Sequence, residues 1–387
     1  MDKAIDLIDA MKFPTNDYES YDNFKRLYSC FTPDDWFNTD NLFSVALYIA
    51  EKRPDLVDLG TRINVQVNLF LRTIKTFSDV AIDKNDIGCF ALTESNAGVL
   101  SGLVVETKVE ELESGDYILN SNECTKRWIS QGMFATKSLV FASNINNYRD
   151  CRIFLMEMPC DGVKRTRMSG GLDVGKVLDL AEIQYTNVKL GKSAVLEKTI
   201  PLSRKELLCG IFYGRLCLAE VVITSISAFV DYVYNKVSNI EKFKLIGHYD
   251  YICNLNRDLK SIKEQLISRR SEILESQDVF LINCYKVYCV ELAIDVYNKV
   301  HMMFGTHAFG FGLTYETLML NKIAEGDTSV LKLAVIKEYL DNGGKLSWRH
   351  YLGLLYNYNR PKEYIMENAC DIFKNIVLSL DLFLLKE

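Results

Sequence analysis

The feature that most constrains the fold is a change of texture twice along the chain. Residues 86 to 200 carry short β-favouring runs and turns, and they are bracketed by two stretches of helical periodicity. In the central block, Val104 to Val109 and Tyr117 to Asn120 flank the turn Glu113-Ser114-Gly115-Asp116, and Ser138 to Ser143 and Arg152 to Met158 read as further strands. Glu182 to Leu190 alternates Ile183, Tyr185 and Val188 with polar partners, so the block reads as a meander of hairpins rather than a βαβ series. Gly170-Gly171 follows no strand–helix pattern and is discounted as a phosphate loop.

Before this block, Leu42, Phe43, Val45, Ala46 and Ile49 share one broad helical face, and Thr61-Arg62-Ile63 opens a second run through Val65, Val67, Leu69 and Phe70. After it come long helical runs over Leu207 to Val237, Tyr251 to Leu274, Val279 to Met303, Asp327 to Leu340 and Glu363 to Leu384. The expectation is an α+β chain in three parts: an N-terminal helical domain over 1–85, a middle antiparallel β-barrel or sandwich domain over 86–200, and a C-terminal helical bundle over 201–387.

Composition narrows the function classes. Hydrophobic residues make up 48% and charged residues 25%, which suits a globular core. A net charge of −6 leaves no basic footprint for nucleic acid. No stretch approaches ~20 uninterrupted apolar residues, so no membrane span is expected, and the N-terminus does not read as a signal peptide. The eleven cysteines lack CxxC spacing and read as reduced thiols in a cytoplasmic protein. The four histidines have no metal spacing, and no metal is assigned.

Three segments carry the chemistry: Cys89-Phe90-Ala91-Leu92-Thr93-Glu94-Ser95-Asn96-Ala97-Gly98, Lys126-Arg127-Trp128-Ile129-Ser130-Gln131-Gly132, and Ala324-Glu325-Gly326-Asp327-Thr328-Ser329. Each alone has an ordinary explanation. A carboxylate beside a helix start is favoured by the dipole, Asp327 or Thr328 would cap that helix, Trp128 would serve as a core aromatic, and Thr93 as a strand residue. In this order, however, they resemble the flavin-contacting strands and the catalytic-base loop of the acyl-CoA dehydrogenase and oxidase family. The interval from Thr93 to Trp128 fits that family's hairpin. Phe304 to Gly310 resembles its glycine turn, and Ile183 to Val188 resembles the strand closing its β-domain.

That resemblance covers about residues 60 to 340, and it implies an FAD enzyme oxidising an acyl thioester held by CoA or a carrier protein. It implies Glu325 as the base for the α-proton, Leu92, Thr93, Trp128, Ile129, Ser130 and Thr328 as cofactor contacts, and Arg215 and Val99 on the substrate side. A surface arginine is an equally good explanation of Arg215. A homodimer or homotetramer is implied as well.

The departures also have content. The first helical region is short, Val99-Leu100 stand where the family has Ser-Asp, and Ile240-Glu241-Lys242-Phe243 replaces an Arg-x-x-Phe element. They point to a biosynthetic, carrier-bound thioester. They also leave open a degenerate member of the fold with a binding or assembly role, and a flavin monooxygenase, although the latter needs no carboxylate at Glu325.

Overall fold

In a computed structural model, residues 1–95, 105–121, 124–168, 178–196, 209–347, 349–350, 352 and 361–379 are described. The chain divides into two compact units, Met1–Gly214 and Arg215–Glu387. The fold is α+β, with helices before and after a central β layer.

The first unit opens with helices Asp2–Ala10, Asp17–Tyr28, Pro33–Phe37 and Thr39–Lys52. The face expected from periodicity is the buried one: Leu42, Phe43 and Val45 are fully enclosed, with Ala46 and Ile49 beside them. Thr32 caps the third helix in a reciprocal box with Asp35, two residues ahead of which Pro33 fixes the first turn. The second run starts earlier than Thr61. Val57–Asn64 continues through a π-helical stretch at Val65–Leu71 into Arg72–Phe77. Widening the helix there places the buried Gln66 amide where it donates to Asp86 O (2.8 Å) and accepts from Gly88 N (2.8 Å), so the helix is tied to the first strand. Gly88 has no alternative at this crossing: a Cβ would stand 2.0 Å from the Phe70 ring.

Nine strands follow among the described residues: β1 Gly88–Ala91, β2 Lys108–Glu111, β3 Tyr117–Asn120, β4 Lys126–Ser130, β5 Lys137–Asn144, β6 Asn147–Glu157, β7 Val163–Arg167, β8 Leu180–Tyr185 and β9 Val188–Leu190. One sheet runs β1-β5-β2-β3-β9 with β6 also on β5, and the other runs β4-β8-β7. The expected hairpins β2–β3 and β5–β6 are antiparallel, as are β3–β9, β4–β8 and β7–β8.

Two pairings depart from the antiparallel meander, because β1 and β2 both run parallel to β5. The chain between β1 and β5 is long enough to supply a crossover, visiting β2, β3 and β4 on the way. This makes β5 central, and it is buried at every position except its ends. Phe154, Ile183, Tyr185, Leu119 and Val140 build the core of the layer.

The second unit is helical. Cys209–Val237 starts just before the division between units. Sequence periodicity suggests an amphipathic helix, yet it is buried nearly all round through Val230. By length and composition Ile211–Val237 could cross a membrane, and 78% of its most apolar window is buried inside the protein. The run expected over Tyr251 to Leu274 is two helices, His248–Ser268 and Arg270–Ser276. The break at Arg269 lets that side chain donate to the Tyr285 hydroxyl (3.0 Å). It also turns Arg270 onto the fully buried Glu220 in a two-pronged bond (3.0 and 2.6 Å). Val279–Phe304, Tyr315–Ile323 and Thr328–Asp341 follow, then Pro361–Glu367 and Ala369–Ser379.

Candidate functional site

The first unit brings Thr93, two residues past the end of β1, against β4, which carries Trp128. Glu94 bridges to Lys126, and the Arg127 amide donates to Thr93 O (2.9 Å). The join is reinforced from inside by a buried ion pair. Lys126 is fully enclosed and its Nζ donates to Glu94 Oε1 (2.8 Å), Phe141 O (2.7 Å) and Leu92 O (3.4 Å). Glu94 also accepts from Glu106 N (2.7 Å), Thr107 N (2.9 Å) and Thr107 Oγ1 (2.7 Å). Burial opposes a charge on Glu94, but Lys126 and these donors outweigh it and hold the carboxyl below its ordinary range. The pair therefore fixes the strand end Leu92-Thr93 against β4 and β5.

On β4, a bulge between Lys126 and Ile129 breaks the register with β8. Trp128 sits at φ 61 in that bulge, a left-handed backbone that a bulky residue rarely adopts. The result is a tryptophan that is half exposed, at 51%, instead of packed into the core. Its amide donates to Met168 Sδ (3.4 Å), and the Arg127 guanidinium lies 5.7 Å from its ring centre. Ile129 points the other way and is buried. Ser130 ends the strand half-buried opposite Leu180, and Leu92 is buried beside Thr93. Among the described residues, neither the Thr93 nor the Ser130 hydroxyl has a hydrogen-bond partner. A strained, displayed aromatic with two hydroxyls that have no partner among the described residues offers a stacking face and donors suited to a flat heteroaromatic ring. Val99 lies outside the described residues.

The second unit builds the carboxylate loop. Helix Tyr315–Ile323 ends at Ala324, and Thr328–Asp341 begins after Asp327, whose side chain accepts from Ser329 N (2.8 Å) as its cap. Between them, Glu325 at φ 57 and Gly326 at φ 104 are both left-handed. For glutamate this conformation costs roughly 1–3 kcal/mol and persists only where the surroundings enforce it.

Two buried cations do the enforcing. Arg215, 5% exposed, donates from Nε to Glu325 O (2.7 Å) and from Nη1 to Asn283 Oδ1 (2.7 Å). Lys286, with no exposed surface, donates to Lys322 O (2.9 Å) and Gly326 O (2.6 Å). Burial pulls Arg215 down to about 10 against the attraction of Glu325. Burial, with repulsion from Arg215, pulls Lys286 down to about 7. Glu325 itself is half-buried. Thr328 is fully buried, and its hydroxyl has no hydrogen-bond partner among the described residues.

The predicted residues thus fall into two groups: Leu92, Thr93, Trp128, Ile129 and Ser130 in the first unit, and Arg215, Glu325 and Thr328 in the second. Arg215 is not at the surface; its guanidinium is engaged by the loop and Asn283. Sequence reasoning missed Lys286, Asn283 and the Glu94–Lys126 pair. A signal existed for the first two. Lys286 is a lone cation inside the apolar run Ile282–Val290, and Asn283 lies three positions earlier on the same helical face.

No protein-family model matches the sequence. Among solved structures, the chain is similar to butyryl-CoA dehydrogenase from Megasphaera elsdenii, with a TM-score of 0.74 at 16% identity, over 87% of this chain and 96% of that one. It is also similar to the prolyl acyl carrier protein oxidase AnaB, with a TM-score of 0.69 at 14% identity, over 87% and 96% of the two chains. Glutaryl-CoA dehydrogenase from Mycobacterium smegmatis, in complex with FADH2, gives 0.64 at 18% identity, over 87% and 92%. The chain therefore has the acyl-CoA dehydrogenase fold.

Proposed function

We propose that this protein is an FAD-dependent oxidoreductase that removes hydrogens from the α and β carbons of an acyl thioester, with Glu325 as the base. The observation that supports this most directly is the Glu325 loop. Two consecutive left-handed residues are gripped through the Glu325 and Gly326 carbonyls by Arg215 and Lys286, so a carboxylate is held in a conformation it would not adopt unaided. Such fixation suits a group that must meet a weakly acidic C–H at hydrogen-bonding reach.

FAD, when bound, supplies the acceptor for the β-hydride. Trp128 offers its half-exposed face to the ring, and the Thr93 and Ser130 hydroxyls offer donors toward ring heteroatoms, with Leu92 and Ile129 as neighbouring backbone contacts. Thr328, implied as a further cofactor contact, is fully buried and leaves its hydroxyl no accessible surface, so it is not one of the proposed contacts. Arg215 acts on the loop rather than on substrate. Glu325 accepts the α-proton on its carboxylate.

Likeness to both a CoA-ester dehydrogenase and a carrier-protein oxidase supports testing both thioester types. A carrier-bound, biosynthetic substrate is our preferred reading, because Val99-Leu100 alter the substrate-side segment, and we propose a homodimer or homotetramer. The test is the visible spectrum of the purified chain with FAD, before and after anaerobic addition of an acyl thioester. A yellow protein that bleaches supports the proposal, and a colourless protein that cannot take up FAD ends it.

A further inference from the structure

We infer that Lys286 is a positioning residue for the Glu325 loop, acting by joining the end of one helix to the glycine that follows the base. The inference rests on reading Glu325 as the base, but its geometry stands apart from that reading.

Lys286 lies on helix Val279–Phe304, and its amine reaches two carbonyls that flank Glu325 in sequence. Lys322 O belongs to the last turn of helix Tyr315–Ile323, whose final carbonyls have no partners of their own within the helix. A cation there is favoured by the helix dipole. Gly326 O lies beyond the base. Arg215 holds the carbonyl between them, so residues 322, 325 and 326 are all anchored from the same unit.

Lys286 does not fit the description of an ordinary core residue. A fully enclosed amine is expensive to bury, and an apolar side chain of similar volume would fill the space at less cost. The charged groups that act on it are Arg215, which repels it, and Asp327, Glu325 and Glu291, which attract it. Three of these four, Arg215, Glu325 and Asp327, belong to the loop or hold it. The amine is thus placed where it costs stability and where its hydrogen bonds all fall on the segment carrying the carboxylate.

Two readouts test this, and the first needs no activity. Hydrogen exchange on the full chain without FAD compares wild type with Lys286→Met and Lys286→Gln. Amides of residues 324–327 are expected to exchange at least about tenfold faster in Lys286→Met and by an intermediate factor in Lys286→Gln, with helix His248–Ser268 unchanged. In the FAD-loaded chain, bleaching by an acyl thioester is expected to slow by about 10²-fold in Lys286→Met. Its α-deuterium isotope effect should rise, with half-saturation by thioester held. Wild-type exchange of the loop in Lys286→Met overturns the proposal, whatever the flavin does. So does failure of both variants to fold, which would make Lys286 a core residue. Faster loop exchange in a chain whose wild type takes no FAD upholds the clamp and removes the oxidoreductase reading instead.

Discussion

In the β layer a buried lysine meets a buried carboxylate, whereas in the helical unit two buried cations place hydrogen bonds on main-chain carbonyls. Lys126 and Glu94 neutralise each other, and the remaining bonds of the pair go to Leu92, Phe141, Glu106 and Thr107. Arg215 and Lys286 instead hold the backbone around Glu325. The first arrangement fixes a rigid edge from which Thr93 and Trp128 are displayed. The second fixes the path of a loop through the carbonyls of Glu325 and Gly326. Backbone anchors set the path of a loop, while side-chain pairing holds two strand ends together.

The comparison is broken most sharply at Glu325. Replacement by Gln keeps size and loop geometry, and it is expected to slow flavin bleaching by an acyl thioester about 10²- to 10⁴-fold with FAD uptake unchanged, measured by anaerobic stopped-flow. An equal loss of FAD would move Glu325 from the chemistry to the structure. On the other side, Lys126→Met leaves Glu94 buried without its counter-charge and is expected to cost about 3–5 kcal/mol of unfolding free energy by urea titration. A loss below 1 kcal/mol would mean that the pair is not what holds the strand edge.

Gly326→Ala is next in size. It puts a Cβ at φ 104 and 3.1 Å from the Arg215 guanidinium, and a cost of about 1–3 kcal/mol in thermal unfolding is expected. A neutral result would show that the loop can relax.

The smallest effect is a pH dependence. Burial lowers the folded-state value of Lys286 to about 7, beneath an unfolded value of about 10.4. Between those pH values the unfolded chain binds more protons, so this group's contribution to stability rises with pH. The unfolding free energy of wild type is therefore expected to rise by about 2 kcal/mol relative to that of Lys286→Met from pH 7 to pH 9. A difference that does not change with pH would mean that the amine keeps its proton throughout.

Much of this molecule is legible along the chain. Periodicity locates the buried face at Leu42 to Ile49, β3 falls on Tyr117–Asn120 as expected, and helix Val279–Phe304 ends within a residue of its predicted limit. These are local signals, set by turn residues and by the spacing of apolar side chains. Glu325, Thr93, Trp128 and Ser130 are legible as a motif set for the same reason, since each lies in a short contiguous segment.

What stayed hidden depends on distant partners. Nothing near Arg269 announces a helix break; it follows from Arg270 reaching Glu220 fifty positions away. The parallel pairing of β1 with β5 follows from a crossover through three other strands. Arg215 reads equally well as a substrate-side or a surface residue until Glu325 O and Asn283 come to meet it.

By itself, the amino-acid order determined which segments are helical or extended and which short segments carry the motifs of the resemblance. Tertiary structure alone decided that Trp128 is displayed from a bulge and that Glu325 is seated between two buried cations. Those outcomes follow from burial, which raises the cost of every unpaired charge and so selects partners that no local pattern encodes.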